Sequence, residues 1–307
     1  MTWLGEFDPD DGGTLLAPEG EGPGHWVGAA SLATDGSRLL VAYRDRRPDR
    51  RGHRCVIAAR DGDGLSEIWS APAAAIDTVS IERPALVQAA PNRWHLYYSY
   101  VEAETGRWQI DVTVADDPAA FDLTAGQPVV TAVSTGTEGV KDPYVVRVDG
   151  IWFLFVNAVL LAAPGAARPR DGVGGDVVLP TGVATSLDGI EFSWDGIVLS
   201  VGGGWDARMA RLTSVVPLTR GFLGFYDGRA TAEQNFEEQL GLAHSFDLEH
   251  WTRLTPRAPH RRSPHGGGAL RYLDAAVVDG ELAIVYEYAR RDGSHELREN
   301  RVPWPDG

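Results

Sequence analysis

A paired motif returns about every 60 residues along this chain, and few folds can accommodate such a repeat. Its fullest copy runs Val140-Lys141-Asp142-Pro143-Tyr144-Val145-Val146-Arg147-Val148, turns at Asp149-Gly150 and continues as Ile151-Trp152-Phe153-Leu154-Phe155. Asp-Gly between two apolar-alternating runs suits a tight hairpin. Proline has no N–H to give to a ladder, so Pro143 is expected to begin its strand and leave Lys141 and Asp142 at the strand mouth. Lys141 is the only lysine in the chain. A second copy is Ser80-Ile81-Glu82-Arg83-Pro84, followed by the aromatic run Trp94 to Ser99. A looser third places Trp205-Asp206-Ala207-Arg208 ahead of Thr213 to Pro217 and Tyr226-Asp227-Gly228. The last copy starts at Leu270-Arg271 and turns at Asp279-Gly280, while the first starts at His25-Trp26 and passes Asp35-Gly36 to reach Arg44-Asp45.

Most copies close on a second half-motif, an alternating strand ending in alanine, an Asp turn and an aromatic residue, as at Ala184 to Trp194 and Ala243 to Trp251. Each copy thus offers three or four short antiparallel strands that cannot bury both faces alone. Radial stacking of five such units solves that problem. The expected fold is all-β, a five-bladed β-propeller, with residues 1–307 as one domain and blades near 25–79, 80–138, 139–201, 202–263 and 264–302. The segment before Gly24 is a candidate to close the ring. Three long insertions, at 161–180, 229–239 and 255–268, are expected to rim one face, because long loops inside compact domains are usually functional or disordered.

Thirty-six glycines and nineteen prolines suit many short strands joined by turns. A formal net charge of -15 argues against nucleic acid or an anionic membrane as partner. One cysteine excludes a disulfide framework and a cysteine metal cluster. With no basic leader before an apolar run, the chain reads as cytoplasmic.

In a propeller the first strands of the blades converge on the axis. The expected convergent set is His25, Trp26, Glu82, Arg83, Lys141, Asp142, Asp206, Arg208 and Arg271, with Arg44, Asp45, Tyr226 and Asp227 at second-strand ends. Carboxylates spaced around an axis suit glycosidic chemistry, where one serves as acid and another as base or nucleophile. Glu82, Asp142 and Asp206 are the candidate catalytic residues, and the other ten are candidate substrate contacts. Arginines there could hold hydroxyls, a carboxylate or a phosphate. The ligand would be a small molecule or oligosaccharide, with no cofactor and no metal.

These residues resemble the propeller glycosidases grouped around glycoside hydrolase families 43, 32, 62, 117 and 130. The likeness rests on Lys141-Asp142-Pro143, Glu82-Arg83-Pro84, Tyr226-Asp227-Gly228 and the Ala-x-Ser-x-Asp closings at Ala184 and Ala243. It implies hydrolysis or phosphorolysis of a glycosidic bond, with Asp142 as the stabilising aspartate. That group usually opens its first blade with an aspartate, whereas this chain has His25-Trp26. Two other readings therefore stay open, a propeller doing non-hydrolytic chemistry on a specialised metabolite and a non-catalytic sugar-binding module.

Overall fold

The computed structural model describes residues 7–36, 38–62, 64–172, 174–278 and 280–304. It is all-β. A short strand, β1 (Gly13–Leu16), precedes a first unit of β2 (Trp26–Thr34), β3 (Leu39–Arg47), β4 (Arg50–Asp61) and β5 (Gly64–Pro72). The second unit is β6 (Ile81–Ala90), β7 (Arg93–Val101), β8 (Trp108–Ala115) and β9 (Gln127–Val130). The third holds β10 (Gly139–Val148), β11 (Ile151–Leu161), a two-residue β12 (Val177–Val178), β13 (Thr181–Ser186) and β14 (Ser193–Leu199). The fourth is β15 (Met209–Pro217), β16 (Phe222–Arg229), β17 (Gln239–Ser245) and β18 (Trp251–Arg253), and the fifth β19 (Leu270–Val278), β20 (Glu281–Ala289) and β21 (His295–Pro303).

Neighbouring strands within each unit are antiparallel, and β1 pairs with β21 as the fourth strand of the last unit. One parallel pairing, Trp26 with His295, joins the first and fifth units into a single eight-stranded sheet. The first strands touch in a cycle: β2 meets β6, β6 meets β10, β10 meets β15, β15 meets β19, and β19 meets β2. The apolar cores lie between successive units in the same order. Leu86, Leu96 and Tyr98 meet Ile57 and Cys55, for example, while Val285 and Leu297 meet Val41 and Val56. No described helix is long and apolar enough to cross a membrane.

The turns follow from their residues. Asp149 and Gly150 take φ of 51° and 85°, the left-handed pair that a two-residue hairpin matched to strand twist requires. Asp279 of the corresponding C-terminal turn lies outside the described residues. In the two Ala-x-Ser-x-Asp closings, Ser186 Oγ accepts from the Asp188 and Gly189 N–H groups and Ser245 Oγ from those of Asp247 and Leu248, so the same turn is built twice.

Pro143 does not begin its strand. β10 starts four residues earlier at Gly139, and Pro143 sits in a bulge where residues 142 and 143 oppose Val156 alone. A bulge leaves a residue outside the ladder, which is the other place a proline fits in a sheet. Pro84 follows the same kind of irregularity in β6, at residues 82 and 83, and equivalent shifts fall at residues 29–30 in β2, 213 in β15 and 272–273 in β19. These five bulges set the direction of the side chains that face the centre.

Candidate active site

Glu82, Asp142 and Tyr272 occupy equivalent bulge positions in the second, third and fifth units, while the first unit carries Ala29 there. Asp142, Ala29 and Tyr272 all adopt left-handed φ, 55°, 58° and 50°. Such backbone is costly for a residue with a Cβ and persists only where its surroundings hold it.

Around these positions runs a buried network of alternating charge. Arg44 Nε lies 3.0 Å from Glu82 and its Nη2 3.1 Å from Glu287. Glu287 also accepts from Arg271 at 2.6 Å and contacts the His295 ring at 2.7 Å. Arg271 continues to Glu238 at 2.7 Å. Arg211 bridges Asp142 at 2.7 Å and Asp227 at 2.6 Å, with its guanidinium 3.7 Å from the Tyr272 ring centre. Lys141 Nζ lies 3.4 Å from Asp142 and 4.9 Å from the Trp108 ring centre. Buried charges persist only when paired in this way.

The network forms the floor of a pocket of about 360 Å³. A smaller cavity of about 40 Å³ lies against it, and the two share Arg46, Glu82, Lys141, Leu179, Asn235 and Phe236. Two of the three long insertions supply its walls. Pro169, Gly172 and Leu179 come from 161–180, and Ala232, Asn235 and Phe236 from 229–239. Trp108 Nε1 donates to the Gly172 carbonyl at 2.9 Å, tying the first insertion to the second unit. Arg46 is packed by aromatic faces, its guanidinium 4.3 Å from the Phe236 ring centre and 4.8 Å from that of Trp26.

The electrostatics follow from the pairing. Burial alone would push Glu82 toward its neutral form, but Arg44, Arg46 and Lys141 outweigh it and hold the carboxyl at about 2. Glu238 is held at about 2 by Arg271, Arg211 and Arg229 against the same opposition. Lys141 is shifted below the usual lysine value because burial outweighs the attraction of Asp142 and Glu82. The pocket therefore presents an ionised glutamate beside a lysine that gives up its proton more readily than normal.

Of the residues expected from sequence, Glu82 and Lys141 line the pocket, and Arg44 and Arg271 line the smaller cavity beneath it. Asp142 is fully buried behind Lys141. Trp26 backs Arg46 and stacks on His295, and Asp227 secures Arg211 and the Tyr272 N–H. Arg83 lies deeper, donating to the Ala30 and Thr213 carbonyls.

The remaining candidates line neither cavity. Asp206 is tied to Arg253 at 2.6 Å and to the Tyr226 hydroxyl at 3.2 Å, so it and Tyr226 brace the fourth unit. Arg208 pairs with Asp176, and Asp45 pairs with Arg54. His25 packs on Gly20 and gives its carbonyl to the His295 N–H. Sequence reasoning missed Arg46, Arg51, Trp108, Arg211, Asn235, Phe236, Glu238 and Tyr272. A signal existed for one of them: Arg44 and Arg46 are two apart in a strand and share a face. Among the described residues, no group of three His, Cys, Asp or Glu is placed to hold a metal ion.

Fold and site together define an all-β, propeller-like protein with a polar pocket where its first strands meet. Solved structures that share this shape include glycoside hydrolases. A thermostable family-43 glycoside hydrolase aligns with 96% of this chain and 94% of its own at a TM-score of 0.68 and 12% identity. The family 43 enzyme from Xanthomonas citri, solved with xylose, aligns over 98% and 91% at 0.66 and 13%. A glycosyl hydrolase from Bacteroides ovatus aligns over 94% and 89% at 0.65 and 13%. No family model and no curated protein sequence matches the chain.

Proposed function

We propose that the five units are the blades of one five-bladed propeller domain and that its central pocket cleaves a glycosidic bond. The observation that carries this reading is the placement of Glu82 and Lys141 together in the pocket of a fold shared with glycoside hydrolases. Bond cleavage places developing positive charge on the anomeric carbon and negative charge on the departing oxygen. Ionised Glu82 is suited to face the carbon, and Lys141 to give a proton to the departing oxygen. The new bond forms from an oxygen of water in hydrolysis, whose released proton restores the Lys141 ammonium by way of solvent, or from an oxygen of inorganic phosphate in phosphorolysis. Asp142 acts through Lys141, whose ammonium it positions, and Arg211 holds Asp142.

The test is turnover of aryl furanosides and pyranosides, with and without phosphate. Glu82→Gln keeps the shape and a hydrogen-bond acceptor for Arg44 but removes the charge. It is expected to lower kcat at least a hundredfold while leaving sugar affinity within a fewfold. Equal loss of both in a folded variant would reduce Glu82 to a binding residue. A second reading, non-hydrolytic chemistry or sugar binding, is favoured by one observation: Ala29 stands where the next two units carry Glu82 and Asp142. A folded protein that turns over no glycoside would favour it.

A further inference from the structure

The charge balance of the pocket goes beyond the choice of reaction. Along the network and the pocket wall stand seven cationic side chains, the last two being Arg229 and Arg51, against five carboxylates: Glu82, Asp142, Asp227, Glu238 and Glu287. Arg83 and Asp274 balance one another deeper in the centre. The excess of cations sits inside a chain whose formal charge is -15, so it is a local arrangement and not a consequence of composition.

The uncompensated charge can be located. Arg51 forms no ion pair among the described residues. Its Nη1 donates to the Asp171 carbonyl at 3.0 Å, and its guanidinium lies 5.5 Å from the Trp108 ring centre. Lys141 shares Asp142 with the closer Arg211, and Arg46, at 3.7 Å, shares Glu82 with the closer Arg44. Arg46, Arg51 and Lys141 all line the same 360 Å³ pocket, where Glu82 is the only carboxylate among the described residues. A concave wall of one sign, backed by low-dielectric protein, focuses its field into the opening. Such a wall also opposes the positive charge that a neutral sugar would develop during cleavage, unless the bound species brings negative charge with it.

We propose that Arg46, Arg51 and Lys141 form a seat for an oxyanion, a carboxylate or phosphate carried by the sugar or supplied as free inorganic phosphate. The substrate class is then anionic, an acidic sugar or a neutral sugar cleaved with phosphate. This names the substrate of the site proposed above and rests on that reading for the reaction, though not for the binding. Arginine forks pair with two oxygens at once, and Trp108 and Phe236 fix the planes of Arg51 and Arg46 before any ligand arrives.

The test is calorimetric titration of the full chain at low salt with glucuronate, galacturonate, glucose, galactose and inorganic phosphate. At least one of the three anions is expected to bind tenfold or more tightly than either neutral sugar, with affinity falling as salt rises. Arg51→Ala, a half-buried side chain without an ion-pair partner, is expected to remove most of that preference at an unchanged melting temperature, and Arg51→Lys to restore part of it. Preference for a uronate assigns the oxyanion to the sugar, and preference for phosphate alone assigns it to the co-substrate. Equal binding of anions and neutral sugars, or an Arg51→Ala variant with the preference intact, would overturn the seat. Turnover of neutral glycosides without phosphate and without anion preference would overturn it too, and leave the glycosidase reading standing. Anion binding by a protein that cleaves no glycoside would do the reverse.

Discussion

Glu82 carries two burdens, in the buried network and facing the anomeric carbon, and both require it to be ionised. As a member of the buried network it must stay ionised, and the cations of Arg44, Arg46 and Lys141 secure this by holding its pKa at about 2 against the opposing effect of burial. A carboxylate whose pKa falls on folding stabilises the protein above its unfolded value, and the gain is lost as pH drops toward the folded value. Glu82 and Glu238 therefore both predict a loss of stability between about pH 4.5 and pH 2. Urea unfolding across that range checks it. Glu82→Gln is expected to be less stable at neutral pH but to lose less on acidification, its slope shallower by up to about one proton, or ~1.4 kcal/mol per pH unit. Parallel slopes for wild type and variant would mean that folding does not lower the Glu82 pKa. The same low pKa makes Glu82 a poor proton donor at neutral pH. That is why the donor's part falls to Lys141, whose proton burial has loosened.

At the scale of the element, the bulge decides which residue faces the centre. In β2 the chain passes Gly28 directly against the Glu287 carboxylate, so that a Cβ there would overlap it. Gly28→Ala must displace a side chain that serves Arg44, Arg271 and His295 at once, and it is expected to cost about 1–3 kcal/mol. Gly13→Ala in β1, where an added Cβ meets nothing within 4 Å, is expected to stay within about 0.5 kcal/mol. Denaturant melts of the pair separate them, and equal effects would show that Glu287 can move aside freely. The hairpins were legible in the sequence because Asp-Gly and proline state their backbone requirements locally. Strand register across a bulge is not local. Matching copies by their charged pairs picked out Arg271 and His25-Trp26, whereas the positions equivalent to Asp142 are Tyr272 and Ala29. In the fourth unit the same matching favoured Asp206, which braces Arg253 ahead of β15, over Arg211 within the strand. The pocket walls were legible only as loops of unusual length. Which of their residues point inward depends on how the insertions fold back on Trp108 and Arg46.

For the whole molecule, the question is what fastens the last unit to the first. The fifth unit has three consecutive strands, and its fourth, β1, is drawn from the other end of the chain. Residues ahead of β1 strengthen that fastening. Phe7 is fully buried with Tyr286 and Leu282, the Pro9 carbonyl accepts from Tyr286 at 2.9 Å and from Arg298 at 3.1 Å, and the Asp8 carbonyl accepts from Asn300 at 2.9 Å. The first and last units also share the parallel pairing of Trp26 with His295, the apolar cluster of Val27, Val41 and Val285, the buried Arg44–Glu287 pair and a hydrogen bond from the Leu32 N–H to Asp274. Removing residues 1–17 is therefore expected to cost about 3–5 kcal/mol, most of it from exposing the Phe7 site, and to leave the backbone of β21 unpaired along one edge. An open edge is a template for another chain, so the truncated protein is also expected to self-associate. Urea midpoints together with size-exclusion chromatography test both consequences. His295 and Glu287 lie on the fifth unit and Arg44 on the first, so a loosened junction would also pull apart the cationic floor of the pocket. If the seam holds the site together, the truncated chain should lose affinity for anions before it loses its strand content. An unchanged midpoint and unchanged binding would mean that the ring of first strands is sufficient by itself.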